Sequence, residues 1–175
     1  VYEAISLRFH ESDFRVRSED GVADDWPISY ADLEPYYTKV EYELGVSGPG
    51  GEFIDPFEPP RSKPYPTPHH ELNCGNRAVK RGADKLGLHL VPATVACPTK
   101  PWGGRPSCIE CGGCDVGCLI TAKSSIDVTY VRKAEATGNV DIRAECMARE
   151  ITLGKDGKVK SVIYFNHEGK EDEIS

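Results

Sequence analysis

No run of apolar residues in this chain approaches the ~18 that a membrane-spanning helix needs. Positive charge is also scarce. Against 28 Asp and Glu the 175 residues carry 21 Lys and Arg, a net charge of -7. A phosphate backbone is gripped by clustered cations, so nucleic acid is not an expected partner. The chain has one methionine, Met147, and does not begin with it. Its first residues, VYEAISLRFHESDF, carry neither the basic nor the apolar region of a secretory leader. Both ends read as cut, and the chain is taken as a segment of something longer. A soluble protein is expected, with cytoplasm and periplasm both open. Missing too are GxGxxG, the P-loop, GxSxG and HExxH, so no recognised device holds a phosphate or a catalytic nucleophile. Cysteine falls well short of a disulfide scaffold, at seven residues, an odd number.

What is present is enough to build a core, because a chain of this length buries about 70% of its unfolded surface. Residues 1–28 read as irregular. Ser29 with Asp32 forms a weak capping box ahead of Leu33, Tyr36 or Tyr37, Val40 and Leu44 at helical spacing. Pro35 is expected to open the main helix as its first residue, and Gly45 to end it. Residues 46–70 hold seven prolines. They read as a long loop: a linker, a wandering surface loop, or a lid or interface of a larger enzyme. A helix is expected over 71–86, with Leu72, Val79, Ala83 and Leu86 on one stripe. A short strand follows over 88–95, and a helix over 127–137. Val140, Ile142 and Ala144 then share one face of a strand, and Ile151 and Leu153 belong to a second. Lys155-Asp156-Gly157-Lys158 makes a hairpin turn into a third strand, Val159 to Phe165, before the turn at Glu168-Gly169. The fold class is α+β: a few helices, a Pro-rich loop and an antiparallel meander.

Four of the seven cysteines fall in Cys108-Ile-Glu-Cys111-Gly-Gly-Cys114-Asp-Val-Gly-Cys118. The C-x2-C-x2-C-x3-C spacing lets one loop wrap several thiolates around a single centre. Gly112, Gly113 and Gly117 would free the backbone to aim N–H groups at sulfur. The same spacing holds iron–sulfur clusters in bacterial ferredoxins, where Pro follows the last Cys. Here Leu119 stands in that place and no second run exists. A single cluster would use Cys108, Cys111 and Cys114, with Cys118 or the remote Cys97 as fourth ligand. A three-iron cluster would need only three. A zinc knot on the same thiolates and disulfides between neighbours stay open. Cys74 and Cys146 read as small buried hydrophobes. His69-His70 reads as a solvated pair, His10 and His89 as isolated, Arg8 as a salt-bridge partner of Asp13, and Trp102 as an anchor for the cysteine loop.

Together these blocks resemble a family. Trp26-Pro27-Ile28-Ser29-Tyr30-Ala31-Asp32-Leu33-Glu34-Pro35-Tyr36-Tyr37, then Val40-Glu41 and Leu44-Gly45-Val46-Ser47-Gly48, are similar to the central region of glucose-methanol-choline (GMC) flavin oxidoreductases. So are Leu7-Arg8-Phe9, Asp13-Phe14, Arg105-Pro106-x-Cys108 with the cysteine run, and Ala134-Glu135-x-x-Gly138-Asn139-Val140. The branch most resembled is bacterial dehydrogenases of sugars, sugar acids and alcohols. The resemblance implies a fragment of a two-domain FAD enzyme. Residues 1–125 would belong to the substrate or cap region, and 126–175 to the FAD domain. The glycine-rich FAD turn and the catalytic His with its His or Asn partner would lie in missing N- and C-terminal parts. It implies hydride transfer from an alcohol or sugar CH–OH to FAD, and a backbone contact of Ala148 with the adenine. An iron–sulfur cluster on Cys108, Cys111, Cys114 and Cys118 would carry electrons to an acceptor protein. Two other readings use the same cysteines: a stand-alone ferredoxin-type module, and a zinc-stabilised interaction domain. The first of these leaves the Trp-Pro-Ile-Ser-Tyr block unexplained.

Overall fold

The computed structural model describes residues 4–51 and 53–175. Its contacts divide the chain into two units, Val1–Arg132 and Lys133–Ser175. The fold is mixed helix and strand, with an antiparallel sheet in the second unit. No helix among the described residues is long and apolar enough to cross a membrane.

The first unit is organised around helix α2, Tyr30–Leu44. Its start follows from the capping box: the Ser29 N–H donates to Asp32 Oδ2 at 2.9 Å, and Ser29 Oγ accepts from the Asp32 N–H. Pro35 does not open the helix but lies inside it. The hydrogen bond it removes would have ended on the Ala31 carbonyl, and Ala31 is exposed, so water can take that place. At the other end Gly45 adopts φ +67°, and a Cβ there would stand 2.5 Å from Cδ1 of Trp102. Left-handed backbone and a close indole both demand glycine here.

The buried face of α2 is not the apolar stripe. Tyr30, Thr38, Glu41 and Leu44 are buried, whereas Tyr36 is 65% exposed and Val40 42% exposed. The cause is Arg8. Its guanidinium is buried and donates to both Glu41 oxygens at 2.8 Å, to Tyr30 Oη at 2.8 Å, to Thr38 Oγ1 at 3.0 Å and to Glu34 at 3.2 Å. Arg8 therefore pairs with Glu41 and Glu34 rather than Asp13, whose carboxylate instead accepts the His10 N–H at 2.6 Å. A buried cation needs its full set of acceptors, and α2 turns the face that supplies them inward.

Residues 46–70 are neither linker nor loose loop. Their ends close on each other, with β1 (Ser47–Gly48) parallel to β2 (Thr67–Pro68). Between them Arg61 pairs with Glu41 and, at 3.0 Å, with Glu58, and it lies 3.7 Å from the Tyr65 ring centroid. Ion pairing to α2 and stacking hold the segment without regular structure. The core lies beneath it: Ala4, Leu44, Val46, Ala96 and Cys97, with Tyr65, Val95, Cys108 and Cys114 packed against them.

Two short helices complete this unit. Helix α1, Val16–Asp20, ends at Gly21. Helix α3, Cys74–Lys85, is capped by Asn73, whose side chain accepts the Asn76 N–H at 2.8 Å. No residue of α3 is buried, and Val79 and Leu86 stand 61% and 76% exposed, so its apolar stripe has no cover here. The strand expected over 88–95 does not form. Only Val95 pairs, with Ile5 and Ser47, because Pro92 has no N–H and the chain before it meets no partner strand.

Helix α4, Tyr130–Ala136, leads into the second unit. The strand expected over Val140–Ala144 is also absent: Val140 and Ile142 are about half exposed, and among the described residues no strand pairs with them. The meander is β3 (Met147–Leu153), β4 (Val159–Phe165) and β5 (Glu171–Ile174), antiparallel in that order. The turn between β3 and β4 lies where Asp156-Gly157 predicts it, with the Gly154 N–H bonded to the Lys158 carbonyl at 2.8 Å. Within the sheet Ser161 and Tyr164 are buried, while Ile151, Leu153 and Val159 remain more than 60% exposed. Three strands with an uncovered apolar face bury little by themselves.

Candidate metal centre

The cysteine loop hangs from the C-terminal end of α2. Trp102 Nε1 donates to the Tyr42 carbonyl at 2.7 Å, and its ring sits edge-on to Tyr42 over Gly45. Arg105 reaches the same end, donating from Nη2 to the Leu44 carbonyl at 2.6 Å. The chain entering the loop is pinned as well. Val95 exchanges backbone bonds with Ser47, and the Ala96 N–H reaches the Ala4 carbonyl at 2.7 Å. The Ala96 carbonyl accepts from Ser124 at 2.9 Å, where the chain leaves the loop. Entry and exit are thus bonded to each other, and Cys97 lies between these anchors, 4% exposed.

Five thiols meet here. Cys97, Cys108, Cys111, Cys114 and Cys118 line one cavity of about 40 Å³, with Lys123 on its wall. The loop bends with Gly112 at φ +71° and Gly117 at φ +118°, and Glu110 also takes a positive φ of 55°. Gly113 has an ordinary φ; a Cβ on it would stand 3.8 Å from Cys111 Sγ. Backbone amides face sulfur at two places. Glu110 N–H donates to Cys108 Sγ at 3.3 Å, and Lys123 N–H to Cys118 Sγ at 3.4 Å. Burial opposes ionisation of Cys118, but the amides of Lys123, Ile120, Ala122 and Thr121 outweigh it and pull its thiol below the ordinary range. Cys97 behaves oppositely. Burial first, then the neighbouring thiols, push it up to about 12. Burial likewise raises Cys108. The cavity therefore pairs a thiol whose ionisation the surrounding amides favour with a buried thiol whose ionisation is opposed.

All seven cysteines are free, so the open alternative of disulfides between neighbours is not realised. Among the described residues no three His, Cys, Asp or Glu side chains are placed to hold one metal ion. Zinc would require its thiolates drawn in to about 2.3 Å from a common point. The five cysteines line a cavity instead.

The structure revises several neighbours. His70 is not a solvated residue. It is only 21% exposed at its side chain, and its ring bonds the Cys97 carbonyl at 3.0 Å and Glu110 at 3.1 Å, fastening the Pro-rich segment to the cysteine loop. Lys123 Nζ donates to the Cys114 carbonyl at 2.8 Å. Cys74, expected inside, is exposed at the start of α3, and Cys146 is half-buried just before β3. Both stand outside the cavity. His10 bonds the Phe57 carbonyl at 2.7 Å, and His89 borders a shallow hollow with Phe53 and Asp84. Ala148 is an exposed residue of β3 paired with Tyr164, next to a bulge at Arg149. Sequence reasoning did not single out Arg105, Lys123 or His70 for the cavity. Only Arg105 carried a signal, through its place three residues before Cys108.

The family model described as GMC oxidoreductase matches residues 4–175. The chain belongs to the GMC oxidoreductase family. Among GMC relatives it is similar to the fructose dehydrogenase large subunit of Gluconobacter japonicus, at 38% identity over 78% of this chain and 25% of that protein. It is similar to 6'''-hydroxyparomomycin C oxidase of Streptomyces lividus at 28% identity, over 92% of this chain and 30% of the relative. To 2-methyl-1,2-propanediol dehydrogenase of Mycolicibacterium austroafricanum the identity is 31%, over 91% of this chain and 28% of the relative. The chain thus spans less than a third of the length of these GMC relatives.

Proposed function

We propose that this chain is the central segment of a GMC-type flavoenzyme that oxidises a CH–OH group of a sugar, sugar acid or alcohol. FAD, when bound, would take the hydride from the carbinol carbon. Support for the substrate class comes from the relatives, two of which are named for oxidation of a sugar and of a diol. The segment itself carries no residue that we assign to proton transfer from the hydroxyl. On this reading residues 1–125 belong to the substrate or cap region and 126–175 to the FAD domain, with the Ala148 backbone beside the adenine. The uncovered faces of α3 and of the meander suit a segment that the remaining N- and C-terminal parts of the same enzyme would cover.

The cysteine loop adds an electron exit. We assign Cys108, Cys111, Cys114 and Cys118 as holders of an iron–sulfur cluster, with Cys97 behind them as a further thiol. The observation that carries this is the single cavity walled by all five. The donor set is sulfur-only on the cavity wall apart from the half-exposed Glu110, and backbone N–H groups already donate to two of the sulfurs. A cluster spreads its ligands over its corners, so it needs sulfurs around a space rather than around a point. The cluster, when bound, would pass single electrons to an acceptor protein. That favours dehydrogenase over oxidase chemistry.

The test is metal and flavin content of the full-length protein, purified without oxygen. About three or four irons per chain together with flavin is the expected result. Zinc without iron would make the loop a structural knot of an interaction domain. Iron and reversible one-electron chemistry without flavin would make the protein a ferredoxin-type module.

A further inference from the structure

Arg105 is 6% exposed, and its guanidinium donates to three neutral acceptors: the Ala122 carbonyl at 2.8 Å, Ser124 Oγ at 2.6 Å and the Leu44 carbonyl at 2.6 Å. Among the described residues it has no carboxylate partner. That departs from the practice of the same unit elsewhere. Buried Arg8 is met by Glu41 and Glu34, and Arg61 by Glu41 and Glu58. An arginine taken out of water normally keeps such a partner, because its charge cannot be removed by deprotonation. The carbonyl at the end of α2 offers a partial negative charge and no more.

Two of the acceptors of Arg105, Ala122 and Ser124, flank Lys123 of the cavity wall, and the Ser124 N–H is bonded at 2.9 Å to the carbonyl of Ala96, the residue before Cys97. Cys97 is a wall of the five-thiol cavity. Arg105 also holds the segment that cradles Cys118, since Ala122, whose carbonyl it binds, directs its own N–H to the Cys118 sulfur. Lys123 contributes a second positive charge on the cavity wall, although its ammonium is already bonded to the Cys114 carbonyl. The carboxylate at the cavity, Glu110, is half exposed on the rim and engaged with His70. Arg105 is therefore a fixed, buried cation behind the Cys97 and Lys123 side of the cavity wall, held among neutral acceptors, while the one acid of the lining is turned to the rim.

We infer that Arg105 is the built-in counter-cation of this cavity, a positioning residue whose charge is answered by the negative charge of the thiolate-bound centre and which favours its reduced form. The inference rests on the iron–sulfur reading above. The oxidised centre plus one electron gives the reduced centre, which is more negative by one charge. A cation held nearby in a poorly screened interior stabilises that state more than the oxidised one. Removing the charge should therefore make the centre harder to reduce.

The experiment uses the full-length enzyme with Arg105→Gln, which keeps a hydrogen-bond donor without charge, and Arg105→Lys, which keeps charge without the fork. Iron content is measured first, then the reduction of the centre by an EPR-monitored redox titration. In Arg105→Gln the ratio of reduced to oxidised centre at a fixed poise should fall about tenfold, a downward shift of about 59 mV for one electron. In Arg105→Lys it should stay within about threefold of the unaltered enzyme. An unchanged ratio in Arg105→Gln, or equal falls in both variants, overturns the inference. If Arg105→Gln cannot retain iron, Arg105→Lys decides: retention at the unaltered level supports a requirement for charge, and loss reduces Arg105 to a hydrogen-bonding clamp. Absence of iron from the unaltered protein would instead sink the iron–sulfur reading, and the inference with it.

Discussion

Glu34 shows how much of this chain's chemistry is set one side chain at a time. It accepts the Ser62 N–H at 2.9 Å, the Thr38 hydroxyl at 2.7 Å and the Ser62 hydroxyl at 2.9 Å, besides Arg8. The Ser62 amide first, and then Thr38, hold its carboxyl at about 2 against partial burial. A carboxyl depressed in the folded state stabilises the fold above the ordinary glutamate range near 4.5, and that contribution fades as pH falls towards 2. Glu34→Gln should therefore unfold at lower urea than the unaltered chain at pH 6. The gap, on the order of 1 kcal/mol for a carboxylate still partly wetted, should close between pH 4.5 and 2. A gap that stays constant across that window would mean the carboxylate is not the source. Arg8 behaves in the opposite sense. Burial disfavours its charge, and the bonds to Glu41, Tyr30 and Glu34 more than restore it.

At the scale of the element, α2 is the part from which the cysteine loop is hung. The capping box of Ser29 and Asp32 was legible and marks its start, although Pro35, expected to open the main helix, lies inside it. Its end was legible because Gly45 follows the last helical position. Its buried face was not legible. Leu33, Tyr36, Tyr37 and Val40 form a stripe, yet they border an open hollow of about 300 Å³ while Glu41 goes inside. Periodicity reports which residues could be buried, and an arginine thirty-three positions away decided which face was. The junction at Gly45 makes a test. Gly45→Ala combines a left-handed backbone, costing about 1–2 kcal/mol, with a Cβ driven into Trp102. Loss of more than 2 kcal/mol is expected, with the Trp102 fluorescence shifted towards that of a wetter indole. A change under about 0.5 kcal/mol would show that the close approach of indole and glycine carries no weight.

For the molecule as a whole, the thiol cavity and the meander lie in separate units, and their responses should separate too. The loop over 97–124 is irregular and held by side chains and isolated bridges, so a bound cluster would add to its stability directly. Stripping iron from the full-length enzyme should lower amide protection over 97–124 by at least tenfold, read by hydrogen exchange. Protection in β3–β5 should be unchanged, because those strands hold each other by backbone pairs. Equal loss in both places would mean that the metal supports the whole fold rather than the loop. The same separation explains the two strands expected but not formed. Leu88–Val95 and Val140–Ala144 have strand composition, but a strand exists only where a partner offers its edge, and among the described residues only the isolated bridges of Val95 to Ile5 and Ser47 do so.

Local chemistry was readable without coordinates. The helix caps, the hairpin at Asp156-Gly157, the loop character of 46–70 and the grouping of four cysteines all depend on residues a few positions apart. The family resemblance was readable for the same reason, through short blocks. Only the tertiary structure brought Cys97 to the four, turned His70 from solvent to the Cys97 carbonyl, and left Arg105 buried with no acid beside it among the described residues. Each of these depends on which distant segment fills the space next to it, and that is decided by closing the chain around Arg8, Gly45 and Trp102 rather than by any residue's own preference.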